Sequence, residues 1–187
     1  MNAEIAQQAL ASARVVCDRN ELTAAIDRVS VRISARLRHA DPVVLCVLQG
    51  GFMYHAALCA RFAFPMQAGY LHVGRYGDHT SGGALEWHSR PSLPLAGRSV
   101  LVVDDILDQG ATLAAVLDGV REQGAEEVLS TVLVDKQLND PPPRPDVDFV
   151  ALTCPDEYLF GYGMDVSGYW RNLPEIYALS PEFENPQ

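Results

Sequence analysis

The apolar positions of the chain fall into two patterns. VVLCVL (43–48), SVLVVDD (99–105), EVLSTVLVDK (127–136) and DFVALTCPD (148–156) are short, nearly continuous apolar runs of strand length. Strands buried on both faces have this pattern, and they belong to parallel sheets covered by helices. Between these runs, Leu22, Ile26, Val29, Ile33 and Leu37 recur every three or four residues, which predicts an amphipathic helix over 19–38. Asp18 followed by Glu21 supplies a capping box, and Asp41-Pro42 ends the helix. FMYHAALCARF (52–62) reads as a second helix, and 111–123, stopped by Gly124, as a third. ARVVCD (13–18) and MQAGYLHVGRY (66–76) are strand-like.

The remaining segments are less regular. Residues 1–12 predict a frayed or loosely docked helical lead-in. Residues 77–97 are dense in Gly, Ser, Pro and charge, and predict a long loop with room for a short hairpin. NDPPPRPD (139–146) is a rigid loop, and the chain beyond 156 is irregular with turns. No internal repeat is present. The alternation predicts one α/β domain over 1–187, with a mostly parallel sheet flanked by helices.

Ligands in such sheets bind beyond the carboxyl ends of the strands. Three polar clusters fall there: Gln49-Gly50-Gly51, Asp104 to Asp108, and Asp135-Lys136. The densest is LVVDDILDQGATL (101–113), which carries three aspartates in thirteen residues and then turns through Gly110 into a helix. A helix start presents unpaired N–H groups and partial positive charge, which suits a phosphate. Adjacent carboxylates accept hydrogen bonds from a vicinal diol. The stretch therefore suits a sugar phosphate, with hydroxyls on Asp104 and Asp105 and the phosphate on Asp108, Gln109, Gly110, Ala111 and Thr112. A capped helix with solvated acids accounts for the same residues, and local chemistry leaves both readings open.

Charge narrows the partners. The net charge is −10 and the pI about 4.8, so the chain repels nucleic acid. A small anionic ligand needs local donors or a metal to offset that field. Cys17, Cys46, Cys59 and Cys154 form no CxxC pair and lie in apolar surroundings. They read as reduced core residues of a cytoplasmic protein, and their spacing gives a zinc site little support. The five histidines form no ligand pair at helical spacing. No apolar run is long enough to span a bilayer, and the N-terminus lacks the pattern of a secretory signal, so no membrane partner is expected.

The 101–113 stretch resembles the phosphoribosyl-pyrophosphate motif of the type I phosphoribosyltransferases: an apolar strand, two acids, two apolar residues and an Asp-x-Gly-x-Thr loop. LVDK (133–136), PDEYLFGYGMD (155–165) and YWRNLP (169–174) resemble the purine side of the hypoxanthine-guanine members, and the likeness runs in unbroken order over about 13–178. LQGG (48–51) is similar to their pyrophosphate loop, and RYGDHTSGG (75–83) to their lid.

The resemblance implies a core over about 39–155, a small hood subdomain from about 13–20 and 156–180, and a flexible lid over about 75–90. It implies transfer of a phosphoribosyl group to hypoxanthine or guanine, with Mg2+ on Asp104, Asp105 and Asp165. It implies that Asp108 is the catalytic residue beside purine N7. It implies that Lys136, Tyr158, Leu159 and Asp165 meet the purine, Lys136 at its 6-oxo group. By the same resemblance Gln49, Gly50, Gly51 and Arg171 would meet pyrophosphate, and Arg75 and Tyr76 would belong to the lid. A homodimer or homotetramer is implied as well.

Three positions depart from the family pattern. Gln49 stands where many relatives carry Lys, Arg75-Tyr76 where many carry Ser-Tyr, and Asp104 where Glu is common. Two other functions compete with this reading: a regulator that keeps the pocket but binds nucleic acid, and a transferase for another base such as xanthine. The regulator calls for a basic face, and the chain has 14 Lys+Arg against 24 Asp+Glu.

Overall fold

The structure, a computed structural model, describes residues 1–75 and 85–184. Its centre is a six-stranded sheet in the order β4-β3-β2-β5-β6-β7. The strands are β2 (Val43–Leu48), β3 (Gln67–Arg75), β4 (Leu85–Ser89), β5 (Ser99–Leu107), β6 (Glu127–Gln137) and β7 (Phe149–Pro155). All pair in parallel except β4, which runs antiparallel to β3. The segment 77–97 therefore holds the outer strand of a hairpin. Its polar, glycine-rich neighbours mask the short LEWHS run.

The continuous apolar runs are explained by two cores, one on each face. Val44, Leu101, Val103 and Leu133 pack with α2 (Arg19–Leu37) and α3 (Phe52–Cys59). Their sequence neighbours Val43, Leu45, Val100, Val102 and Val132 face α4 (Ala111–Glu122) on the other side. Alternation along a strand sends successive side chains to opposite faces, so a sheet covered twice needs apolar residues at every position. The expected capping box of α2 is present. Asp18 accepts from the N–H groups of Asn20 and Glu21 at 2.8 and 2.9 Å, and Glu21 Oε2 accepts from Asp18 N–H at 3.1 Å. Such a cap contributes about 1 kcal/mol.

A second sheet joins the two chain ends. In it β1 (Arg14–Cys17) and β8 (Leu159–Phe160) flank β9 (Ile176–Ala178), all antiparallel. The lead-in helix α1 (Ala3–Ser12) is docked rather than frayed. Ala6 and Ala9 are fully buried, Phe160, Val166 and Leu179 cluster with Ala9, and Ala6 O accepts from Trp170 Nε1 at 2.6 Å. Its buried face is made of alanines, too small to leave a strong apolar pattern. The region beyond 156 is also more ordered than expected, but β8 and β9 are two and three residues long.

The connections fix the place of the crevice. From β2 the chain crosses through α3 to β3 on one side, and from β5 through α4 to β6 on the other. Winding reverses between β2 and β5, and their carboxyl ends open the crevice where α/β folds bind ligands.

Candidate active site

Three chain segments crowd this crevice. After β2, the turn Gln49-Gly50-Gly51 leads into α3, and the Leu48–Gln49 peptide is cis. A methyl group on Gly50 would overlap the Asp105 carboxylate, and one on Gly163 would overlap Gly50 O. Glycine is needed because side chain and backbone leave no space for a Cβ.

Asp104 and Asp105 stand at the end of β5. Asp104 is 7% exposed, and its Oδ1 accepts from Asp105 N–H at 3.0 Å. Asp105 Oδ1 accepts from Ile106 N–H at 2.9 Å. Burial, and then the adjacent Asp105 charge, push the Asp104 carboxyl well above the usual carboxylate range. Burial raises Asp105 too, against the pull of its hydrogen bond to Asp104 and of the Arg171 guanidinium. Burial and then these two acids push the Cys46 thiol up to about 12. Among the described residues, neither acid forms an ion pair.

The loop beyond β5 enters α4 through Gly110, held at φ +80. No side chain caps this helix, so its first N–H groups face the crevice without an intramolecular side-chain acceptor. A cavity of about 350 Å³ brings together Gly50, Asp104, Asp105, Asp108, Gln109, Gly110 and Thr112. Ala111 begins α4 behind them.

A second cavity, of about 240 Å³, gathers Lys136, Tyr158, Leu159, Met164 and Asp165. It shares Asp105, Ile106 and Asp108 with the first. Lys136 is held between two acids, with Nζ 3.2 Å from Asp156 Oδ1 and 3.7 Å from Asp108 Oδ2. Asp108 Oδ1 is buried and has no hydrogen-bond partner among the described residues. Tyr158 is 41% exposed, with its hydroxyl donating to Asp165 O at 3.4 Å. Arg171 pairs with Asp165 at 2.6 Å and donates from Nη1 to Gly163 O at 2.6 Å. It thereby clamps the loop that presses on Gly50.

Most of the sequence-derived site residues thus line one continuous pair of cavities. Gln49 and Gly51 sit on the adjoining turn, and neither they nor Arg171 lines either cavity. The side chain of Arg75, Tyr76 and the lid over 77–84 lie outside the described residues. Two residues went unassigned in the sequence reading. Asp156 pairs with Lys136 because β7 lies beside β6, with Lys136 opposite Cys154. Arg144, inside the proline-rich loop, reaches the backbone of both site loops. Neither has a local sequence signature, since their partners come from distant segments.

Metal fit depends on the donor set. Asp104 and Asp105 offer hard carboxylate oxygens. Among the described residues, no group of three or more His, Cys, Asp or Glu side chains could by itself hold a metal ion. The expected trio of Asp104, Asp105 and Asp165 therefore does not form a ligand cluster, while the adjacent pair Asp104 and Asp105 suits Mg2+, a cation commonly bound through one or two carboxylates. Asp165 already engages both oxygens, Oδ1 with Arg171 and Oδ2 with the Gly168 N–H at 2.5 Å, although each oxygen keeps a further lone pair.

The family model for the phosphoribosyl transferase domain matches residues 18–166. The chain belongs to the phosphoribosyltransferase family. This phosphoribosyltransferase chain is 26% identical over 171 residues to the hypoxanthine-guanine phosphoribosyltransferase of Bacillus subtilis, covering 90% of this chain and 93% of that protein. It is 30% identical over 170 residues to the bifunctional protein TilS/HprT of Listeria innocua, covering 90% of this chain. There it spans only 26% of the relative's length. A solved hypoxanthine phosphoribosyltransferase from Staphylococcus aureus superposes with a TM-score of 0.87 over 100% of both chains at 22% identity, which shows a shared fold. Among the described residues, no helix is long and apolar enough to cross a membrane.

Proposed function

We propose that the protein transfers the 5-phosphoribosyl group of phosphoribosyl pyrophosphate to hypoxanthine or guanine, giving IMP or GMP and pyrophosphate. The observation that carries this reading is the pair of adjoining cavities that share Asp108. One has the chemistry for a sugar phosphate: an uncapped helix start, Thr112 and two buried acids. The other has the chemistry for a flat 6-oxopurine: an exposed tyrosine face and a donor-only lysine. The names of the relatives support the same choice.

In this reading the 5′-phosphate lies on residues 108–112, and the ribose hydroxyls hydrogen-bond to Asp104 and Asp105. Tyr158 stacks on the purine, the Leu159 backbone meets its edge, and Lys136 donates to the 6-oxo oxygen. Adenine carries an amino group there, so two donors would face each other and adenine is rejected. Asp108, with one oxygen unpartnered, accepts the proton at N7 as purine N9 bonds to C1′ and the C1′–pyrophosphate bond breaks. Charge develops at C1′ as in an oxocarbenium ion, so the buried acids contribute electrostatically. Asp104 and Asp105 would hold Mg2+, which would offset the charge of the departing pyrophosphate. The Gly50 N–H, the Gln49 side chain and Arg171 receive that pyrophosphate, whereas the Gly51 N–H is already given to Val47 O at 3.0 Å.

The assembly is a homodimer or homotetramer in this reading, which the exposed Phe52 and Tyr70 beside one shallow cavity support. Four free cysteines fit a cytoplasmic location. The test is turnover with phosphoribosyl pyrophosphate, Mg2+ and each of hypoxanthine, guanine, xanthine and adenine. Turnover of hypoxanthine or guanine but not adenine is expected. Turnover of adenine alone, or of no base, would refute the assignment.

A further inference from the structure

The loop 139–146, which joins β6 to β7, carries one arginine among its prolines. Arg144 turns inward and is only 18% exposed. Its Nη1 donates to Lys136 O at 3.0 Å, to Asp108 O at 3.3 Å and to Leu107 O at 3.4 Å. The same nitrogen lies 3.1 Å from Asp135 Oδ1. That oxygen is buried and, among the described residues, receives no hydrogen bond and has only the charge of Arg144 as its partner. One guanidinium nitrogen thus sits in a cage of four oxygens. Two come from the turn that leaves β5, and two from the end of β6.

These are the two segments that must stay in register. The first carries Asp108 and starts the 5′-phosphate loop; the second carries Lys136. Their main chains pair at Leu107 and Asp135, the last rung of the β5–β6 ladder, and beyond it no ladder hydrogen bond joins them. The aliphatic stem of Arg144 also lies against Gly110. A Cβ there would meet Arg144 Cβ and Cγ at 3.1 Å and Pro145 Cδ at 2.9 Å. The proline-rich loop therefore backs the left-handed turn that opens α4.

We propose that Arg144 is a positioning residue that clamps the Asp108 turn to the Lys136 strand end, holding the proton acceptor and the 6-oxo donor at a fixed separation. Its charge is the active feature, because four oxygens converge on one nitrogen and a neutral side chain would leave the buried Asp135 Oδ1 without a counter-charge. Arg144 touches no substrate in this scheme and acts through the two backbones it holds. The inference rests on the proposed transferase reading for its kinetic consequences, but its structural consequence can be read without any substrate.

Two readouts test it on the full-length protein. In the first, amide hydrogen exchange is compared for wild type, Arg144→Ala and Arg144→Lys. Faster exchange in Arg144→Ala confined to the peptides over 106–112 and 135–146, with Arg144→Lys between the two, is expected. Unchanged exchange, or a rise spread over the whole chain, would overturn the clamp. The second is steady-state kinetics with hypoxanthine. Displacing groups by about 1 Å costs up to about a hundredfold in rate, so kcat of Arg144→Ala should fall about 10–100-fold and KM for the purine should rise. Free guanidinium ion at millimolar concentration should restore part of kcat, which a merely structural role would not allow. Normal kcat in a folded Arg144→Ala protein would overturn the proposal. A wild type that turns over no purine would defeat the transferase reading instead, leaving the exchange result to decide on the clamp.

Discussion

The two cavities are built on opposite electrostatic principles. In the first, Asp104 and Asp105 are buried side by side, and no cation within ion-pair distance compensates them among the described residues. In the second, which shares Asp105 with the first, the remaining charges are matched: Lys136 by Asp108 and Asp156, and Asp165 by Arg171. A cavity that takes a charged, hydroxyl-bearing ligand gains by leaving its own groups uncompensated, because the ligand and its cation complete them. A cavity for a neutral, flat base gains by compensating its charges in advance, so that only orientation and hydrogen bonding remain. Asp108 belongs to both cavities, and its two oxygens divide the same way: Oδ2 faces Lys136 and Oδ1 is unpartnered.

This contrast yields predictions of decreasing size. Asp108→Asn removes the proposed proton acceptor at the boundary. The expected loss in kcat is about 10²–10⁴-fold, the usual size of general-base catalysis, read by initial rates. Lys136→Gln exchanges a charged donor for an amide that can also accept. Selectivity for hypoxanthine over adenine should fall by about 10–100-fold, measured as a ratio of kcat/KM, because a good charge-assisted hydrogen bond is worth about 1.5–3 kcal/mol.

Next comes the uncompensated pair. Asp104→Asn keeps the acceptor for the Asp105 N–H but carries no charge to bury. In chelator-treated protein without ligand at neutral pH, Tm should rise by about 2–4 °C, corresponding to about 1 kcal/mol for a chain of this length, while affinity for phosphoribosyl pyrophosphate falls. A lower Tm would show that the pair is compensated after all. The opposite result is expected in the second cavity. Asp156→Asn there removes a counter-charge from Lys136, so Tm should fall.

The smallest effect lies at His55, behind the Gly50-Gly51 turn. Burial holds its imidazole below the ordinary value, partly offset by its hydrogen bond with Val44 O. The folded protein therefore binds this proton less readily than the unfolded chain. The resulting stability is fully present above the ordinary histidine pKa and is lost as pH falls through the lowered folded value. His55→Gln should flatten that part of the denaturation profile below about pH 6.5 and leave the neutral region unchanged. Urea titrations at several pH values would show it.

How much of this was legible in the sequence depended on distance along the chain. Strands β2, β5, β6 and β7 announced themselves, because burial on both faces demands apolar residues throughout. The Asp104–Thr112 loop was legible because its whole chemistry lies in nine consecutive residues. The docking of α1 was hidden by alanines, and β8 and β9 are too short to hold a pattern. The roles of Asp156 and Arg144 were hidden for another reason. Each depends on which strand lies beside which and in what register, and Lys136 meets Asp156 only because it pairs opposite Cys154. The match of Gly50 to the Asp105 carboxylate and Gly163 to Gly50 O is likewise a property of the assembled crevice.

The central claim is that Asp108 joins a sugar-phosphate cavity to a purine cavity. The most direct test measures binding and turnover in the same pair of proteins, wild type and Asp108→Asn. Phosphoribosyl pyrophosphate binding with Mg2+ is followed by calorimetry, and IMP formation from hypoxanthine by absorbance. The account predicts binding within a few-fold of wild type and a loss of turnover of at least about a hundredfold. Turnover near the wild-type rate in the variant would contradict it, because the carboxylate shared by the two cavities would then have no part in the chemistry.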